Sequence, residues 1–263
     1  MSFSCLVNVK ILSILLDALV QYLDDYLQVA DTRDAPHALN GLQVSNRGEV
    51  IRIAAAVDLC HVTVQLAAAQ GANLLLVHHG LFWGGLRPLA GAMYRRVASL
   101  LEHDIAVYAS HLPLDRHPDV GNNALLARRL GVSVRGAFGE SDGQTIGVWG
   151  ELELTRDAFA ERLAGVLGTP ARALAFGPDQ VRRVGIVTGA GGSLIPQAAA
   201  AGLDTYVTGE GAHWTYFDAE ELHLNVYYGG HYLTETFGVR ALAEHLGERF
   251  SLPWTFLDHP TGL

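Results

Sequence analysis

Twelve histidines are spread along 263 residues, and several stand where chemistry could be done. His78 and His79 follow the apolar run Leu74 to Val77. Successive residues leaving a strand point in different directions, so two adjacent imidazoles could serve two ions, or one ion and one hydrogen bond. His111 follows a second apolar run, Ile105 to Ala109, and Asp115 comes four residues later. His231 and Glu235 open a helical segment at i and i+4, which places both on one face about 6 Å apart. Each feature also has an ordinary structural reading, as a hydrogen-bonded histidine at a strand end or a surface pair on a helix. As a set, His78, His79, Asp115, His231 and Glu235 supply the donors that a pair of divalent cations would need. Zinc, iron, manganese, nickel and cobalt all accept nitrogen and oxygen ligands, and no neighbouring cysteine argues for a thiolate site. In a two-ion centre one carboxylate usually bridges, and the longer arm of Glu235 suits it to that part. His111 lies between the ligand strand and Asp115, which makes it the candidate proton shuttle, with His213 in reserve. A buried structural role is the competing account of His111.

Such residues need a rigid base, which open α/β sheets provide at the carboxyl ends of their strands. Leu12, Leu15, Leu16, Leu19 and Leu23 recur at helical spacing and predict an amphipathic helix over residues 10–27. Residues 31–46 are turn-rich. Apolar runs at 51–57, 73–77 and 105–109 then alternate with helical patterns at 62–70 and 92–103, which predicts an α/β fold with mainly parallel strands. The chain closes on a strand near 224–228, a helix from His231 to Leu246 and a short strand at 254–257. Asp58 follows the first of these strands and reads first as a helix N-cap, with a role lining the cleft as the lesser reading. The loop Gly189 to Ser193 has no lysine and fits neither common nucleotide fingerprint, so it reads as a tight turn.

Residues 50–83 lie without a gap on residues 181–214. Val50, Arg52, Ala67, Gly71, Gly80 and Trp83 are matched by Val181, Arg183, Ala198, Gly202, Gly211 and Trp214. Two copies of one βαβ unit explain this register. The expected organisation is a first half, residues 1–125 plus 230–263, carrying most of the metal ligands, and a duplicated second half, residues 126–229. Where the first copy has His78, His79 and Gly80, the second has Gly209, Glu210 and Gly211. Glu210 and His213 then stand as groups behind the ligands or against a substrate, and a helix-capping role fits Glu210 equally well.

Composition removes several classes. Eighteen basic against 27 acidic side chains give a formal charge of −9, and the basic residues include one lysine, Lys10. Nucleic-acid binding and Schiff-base chemistry are both disfavoured. Cys5 and Cys60 are too few for a disulfide framework and suit a reducing cytoplasm. The run Ile11 to Val20 contains Asp17 and leads into Asp24 and Asp25, so neither a membrane span nor a signal peptide is expected.

Five motifs resemble one family: Asn40-Gly41-Leu42-Gln43-Val44; Val77-His78-His79-Gly80 with Trp83; Ser110-His111-Leu112-Pro113-Leu114-Asp115; Thr208-Gly209-Glu210 with His213; and Gly230-His231-Tyr232 with Glu235. They resemble the dinuclear-metal proteins known as type-two homologues of GTP cyclohydrolase I, or NIF-three-like proteins. The resemblance implies two similar α/β halves and a toroidal homohexamer with its metal pairs facing an inner cavity. It places His79 and Asp115 on one ion and His78 and His231 on the other, with Glu235 bridging. Tyr232 departs from the family pattern at the cavity wall, and residues 1–12 read as an extension from an early start codon. The expected function is a metal-dependent hydrolase of a small nucleotide-like or purine-like molecule. A non-catalytic hexamer that stores or delivers metal, or meets a protein partner, is the alternative, because fold and ligands do not fix a substrate.

Overall fold

The computed structural model describes residues 12–36, 38–83 and 85–263, so the expected N-terminal extension falls, apart from Leu12, outside the described residues. The first part of the chain runs β1 (Ile14–Leu15), α1 (Leu16–Tyr26), β2 (Gly41–Val44), β3 (Glu49–Val50), β4 (Ile53–Asp58), α2 (His61–Ala69), β5 (Leu74–His79), α3 (Gly91–Glu102), β6 (Ala106–Ala109), α4 (Leu112–Asp115) and α5 (Asn122–Leu130). Next come β7 (Ser133–Ser141), β8 (Gln144–Thr155), α6 (Arg156–Leu167), β9 (Arg172–Ala175), β10 (Gln180–Val187), α7 (Ile195–Ala200), β11 (Thr205–Thr208), α8 (Thr215–Glu221) and β12 (Asn225–Tyr228). The last elements are α9 (His231–Phe250) and β13 (Trp254–Phe256).

Two sheets result. One has the order β13-β4-β5-β6-β2, parallel except for β2. The other has the order β7-β8-β10-β11-β12-β9, in which β10, β11 and β12 are parallel and the flanking strands antiparallel. Strands β4 and β5 are near-continuous apolar runs because helices cover both faces of their sheet. Leu19 and Leu23 of α1 pack with Val239, Leu242 and Leu246 of α9 on one face, and Val64 and Leu100 cover the other. In the second sheet Leu126, Phe159 and Leu163 pack on one face with Phe237 of α9, and Ile195 and Ala219 lie on the opposite face. Helix α9 therefore joins the cores of both sheets. Among the described residues no helix is long and apolar enough to cross a membrane.

The first helix begins at Leu16 rather than near residue 10, because Ile14 and Leu15 pair with Val50 and Glu49. Leu12 and Leu15 are exposed and do not continue its apolar stripe. Asp58 is not a cap: α2 is capped at Cys60, whose N–H donates to Thr63 Oγ1 at 2.9 Å.

The repeat is visible in hydrogen bonds. Ile53 pairs with Leu74 in one sheet and Val184 with Thr205 in the other, the same register at an offset of 131 residues. Asn73 Oδ1 accepts from the N–H groups of Ile51 and Arg52, as the Asp204 carboxylate does from those of Arg182 and Arg183. The offset also carries β2 onto β9, an antiparallel edge strand in each sheet.

Candidate metal centre

The carboxyl ends of β4, β5 and β6 face those of β10 and β12 across a cavity of about 300 Å³, lined by His79, His111, Asp115, His231 and Glu235 among others. The buried strand β5 delivers His78 and His79 at its last two positions. Their rings lie 4.7 Å apart and turn to different partners. His78 is fully enclosed and its Nδ1 lies 2.9 Å from the carbonyl of Ser110. Its Nε2 faces Asp115 Oδ2 and Glu235 Oε1, each at 3.5 Å. His79 directs Nδ1 at Asp58 Oδ1, 2.8 Å away, and Nε2 at Glu235 Oε2, 3.5 Å away. His231, at the start of α9, directs Nδ1 at Glu210 Oε1 at 2.8 Å and Nε2 at Glu235 Oε2 at 3.2 Å. His111 directs Nδ1 at Asp34 Oδ1, 2.7 Å away.

All four histidines thus obey one rule. An oxygen holds Nδ1, which fixes the tautomer and leaves Nε2 aimed inward as a potential ligand, the arrangement typical of metal-binding imidazoles. Asp115 is held likewise: its Oδ1 accepts from Asn122 Nδ2 at 2.8 Å and from Thr188 Oγ1 at 3.3 Å, leaving Oδ2 for the cavity. Asn123 ties the backbone behind it to Thr188 N–H.

Glu235 stands at the centre, only 2% exposed. Gly189, with φ +68°, makes room for it, since a Cβ there would come within 2.1 Å of Glu235 Oε1. The repeat explains the clearance. Gly189 and Gly209 occupy the positions that carry Asp58 and His78 in the first copy, so the second copy gives up side chains where α9 brings its own. A Cβ at Gly209 would lie 2.8 Å from the Cα of His231.

The electrostatics call for positive charge. Burial alone would raise the Glu235 carboxyl, yet His78 and His231 hold it well below the usual carboxylate range. Burial would lower His78, but the carboxylates of Asp115 and Glu235 push it up to about 10. The nearby Glu235 carboxylate pushes His231 up to about 9 against the effect of burial. Nevertheless His78 Nε2 and Glu235 Oε2 are buried with no hydrogen-bond partner, a costly state for polar atoms that a coordinated cation would relieve. Donor atoms of His79, His231 and Glu235 lie within 4.8 Å of one another, as do those of His78, His79 and His111. Imidazole nitrogen and carboxylate oxygen at these separations fit divalent first-row ions.

The five sequence-predicted ligands meet in this one place. Their grouping differs from the one the resemblance implies, because Asp115 and Glu235 Oε1 flank His78 whereas His231 and Glu235 Oε2 flank His79. His111 joins them, its ring 5.0 Å from that of His78 and 4.8 Å from Trp83. His213 does not. It lines a separate concavity with Arg172, Tyr216, Phe217 and Tyr228. Sequence reasoning missed Asp34 and Asn122, which follow no periodic pattern, and took Asp58 for a cap. The tight turn read at Gly189 to Ser193 consumes its own amides: Gly189 N–H donates to Thr234 Oγ1, Gly191 N–H to Thr208 Oγ1 and Gly192 N–H to the Glu210 carbonyl.

Comparison with known proteins finds relatives over nearly the whole chain. The profile of Duf34/NIF3 (NGG1p interacting factor 3) matches residues 14–261. The "GTP cyclohydrolase 1 type 2 homolog" of Deinococcus radiodurans is 47% identical over 251 residues, covering 94% of each chain. The crystal structure of TTHA1606 from Thermus thermophilus is 42% identical with a TM-score of 0.87, covering 95% of this chain and all of that one. The structure of protein ybgI, described as of unknown function, is 37% identical with a TM-score of 0.89 and the same coverage.

Proposed function

Because the chain belongs to the Duf34/NIF3 family, and because donors from both of its sheets converge on Glu235, we propose that it is a dinuclear metal-dependent hydrolase. His78, Asp115 and Glu235 Oε1 would hold one divalent ion, and His79, His231 and Glu235 Oε2 the other. When bound, such ions supply Lewis acidity and acidify water at neutral pH. The observation that carries the reading is the pair of orphaned buried atoms, His78 Nε2 beside Asp115 Oδ2 and Glu235 Oε1, and Glu235 Oε2 beside the Nε2 atoms of His79 and His231.

The protein's own groups do the rest. Asp34 accepts from His111 Nδ1 and is itself fixed by Asn40 Nδ2 and the Leu112 N–H, so His111 Nε2 is free to take and return a proton beside the His78 and His79 rings. Although burial would raise it, the bond to His111 holds the Asp34 carboxyl below its ordinary value, so it stays ionised and able to stabilise an imidazolium. The substrate is a small molecule in the nucleotide-like or purine-like class, the assembly a homohexamer and the setting the cytoplasm.

Metal analysis of freshly purified protein is expected to give two divalent ions per chain in the wild type and fewer in Glu235→Gln. Wild type reloaded with zinc, manganese, iron, nickel or cobalt is then compared with that variant on nucleotides, cyclic dinucleotides and pterin precursors. Two bound ions without turnover on any of them would leave a storage role and remove the hydrolase. Sedimentation at six times the chain mass is expected, and a monomer or dimer would reject the hexamer.

A further inference from the structure

The metal cavity does not end at the metal ligands. It shares Ala190 and Ser193 with a shallower concavity of about 380 Å³ on the far side of the loop, and that one shares Gly211 and Ala212 with a third of about 480 Å³. Glycines build the crossing. Gly192 N–H donates to the Glu210 carbonyl, and a Cβ at Gly192 would come within 2.5 Å of Gly211 Cα, so the loops after β10 and β11 touch there with no side chain between them. The three concavities follow one another across the ends of β10, β11, β12 and β9 in that order. Three strand spacings separate Gly189, beside Glu235, from Arg172 on β9, a span of about 14 Å.

The two ends differ in chemistry. None of the described residues lining the metal cavity is lysine or arginine, and Asp34, Asp115, Asp142 and Glu235 all face it. The far end is cationic and aromatic. Arg172 stands exposed there with no ion-pair partner among the described residues, beside His213. Tyr216 and Phe217 pack edge to face, their ring centres 5.5 Å apart, and Phe217 is 49% exposed. Two partly exposed aromatic rings, next to an arginine without a carboxylate, match a planar ring bearing an anionic substituent.

We propose that the substrate is elongated, with an uncharged or metal-seeking polar group reacting at the Glu235 end and an anionic aromatic group anchored about 14 Å away by Arg172, Tyr216 and Phe217. The proposal rests on the metal-hydrolase reading for its reacting end, and the distal anchor can be tested apart from it. A nucleoside monophosphate would fill the far end alone, the ring on Tyr216 and Phe217 and the phosphate on Arg172.

The test is calorimetric titration of adenosine 5′-monophosphate into the full chain, before and after treatment with a chelator. Binding is expected to survive metal removal, to weaken at least tenfold in Arg172→Gln and at least fivefold in Phe217→Ala, and to weaken at least tenfold for uncharged adenosine. Both substituted side chains lie on the surface, so neither change removes core volume. Binding that vanishes with the metal and ignores Arg172→Gln would place the probe at the metal centre and overturn the distal anchor. No binding at millimolar probe would overturn it as well. Failure to find metal in the untreated protein would instead sink the hydrolase reading, while a persistent Arg172-dependent signal would keep the anchor.

Discussion

Each imidazole at the centre depends on an oxygen behind it, and these oxygens make separable predictions. Asp58 touches His79 from outside the cavity, so Asp58→Asn is expected to weaken metal binding about 10-fold to 100-fold, as loss of such orienting groups generally does. Competition with a chromophoric chelator measures this, and unchanged affinity would show that Asp58 does not position the ring. Asp34→Asn is expected to keep the metal content and to lower turnover, because it acts on His111 alone; loss of metal would instead make His111 a ligand. Gly189→Ala should displace Glu235 and also strain a backbone at φ +68°, lowering stability by about 1 kcal/mol or more together with metal content. His78, His79, His231 and Glu235 were legible in the sequence because each stands at the end of an apolar run or in the first two turns of a helix, and Asp115 because it closes the short segment after such a run. Asp34 was not, since it sits in a turn-rich stretch and reaches His111 across 77 residues of chain. His213 shows the opposite case: it belongs to a familiar motif, yet its ring meets Phe217 in a concavity separate from the one that holds Glu235.

At the level of elements, the α1 and α9 contact carries its own pH dependence. His245 of α9 stacks on Tyr26 of α1 with ring centres 4.4 Å apart and meets the Tyr22 hydroxyl. Burial and the Arg249 charge lower its pKa from the ordinary 6.5, against the opposing charges of Glu248 and Asp119. The folded chain therefore holds this ring neutral while the unfolded chain takes up a proton below about pH 6.5. Its contribution is present above that pH and is lost as the pH falls toward the lowered folded value. The wild type is expected to lose more stability than His245→Phe between pH 7 and pH 5.5 in denaturant titrations; parallel curves would exclude the ring as the cause. The elements themselves were unevenly legible. Parallel strands such as β4 and β5 announce themselves as apolar runs, but the long hairpin of β7 and β8 alternates weakly, and its strand β7 was not foreseen. Its signal was the pair Asp142-Gly143, both with positive φ, which makes the tight turn such hairpins favour. The first helix was overextended because Leu12 and Leu15 fit its period while the backbone of Ile14 and Leu15 goes to a strand pair.

For the molecule as a whole, duplication was the reading that organised the rest. The repeat found over residues 50–83 reappears in strand register and in the Asn73 and Asp204 brackets, which sequence alone could not show because hydrogen-bond partners leave no pattern in composition. Asn73→Ala and Asp204→Ala each remove an acceptor for two backbone N–H groups, and each is expected to cost about 1–3 kcal/mol in chemical denaturation. A cost at one position and none at the other would mean that the bracket matters in one copy only. What the repeat does not predict is the site, because the halves have diverged where they meet. One kept Asp58, His78 and His79, and the other became glycine at two of these positions to admit a helix from outside the repeat.

That helix begins at residue 231 of 263, and the strand after it completes the sheet of the opening half. Synthesis proceeds from the amino terminus, so a growing polypeptide has both histidines of β5 in place long before Glu235 exists. Until the final segment leaves the ribosome, the early half also exposes the flank of β4 that β13 will cover. Any ion that needs Glu235 must therefore wait until α9 is made, and fragments that stop short of residue 231 are expected to lack that helix and to bind less metal than the full chain.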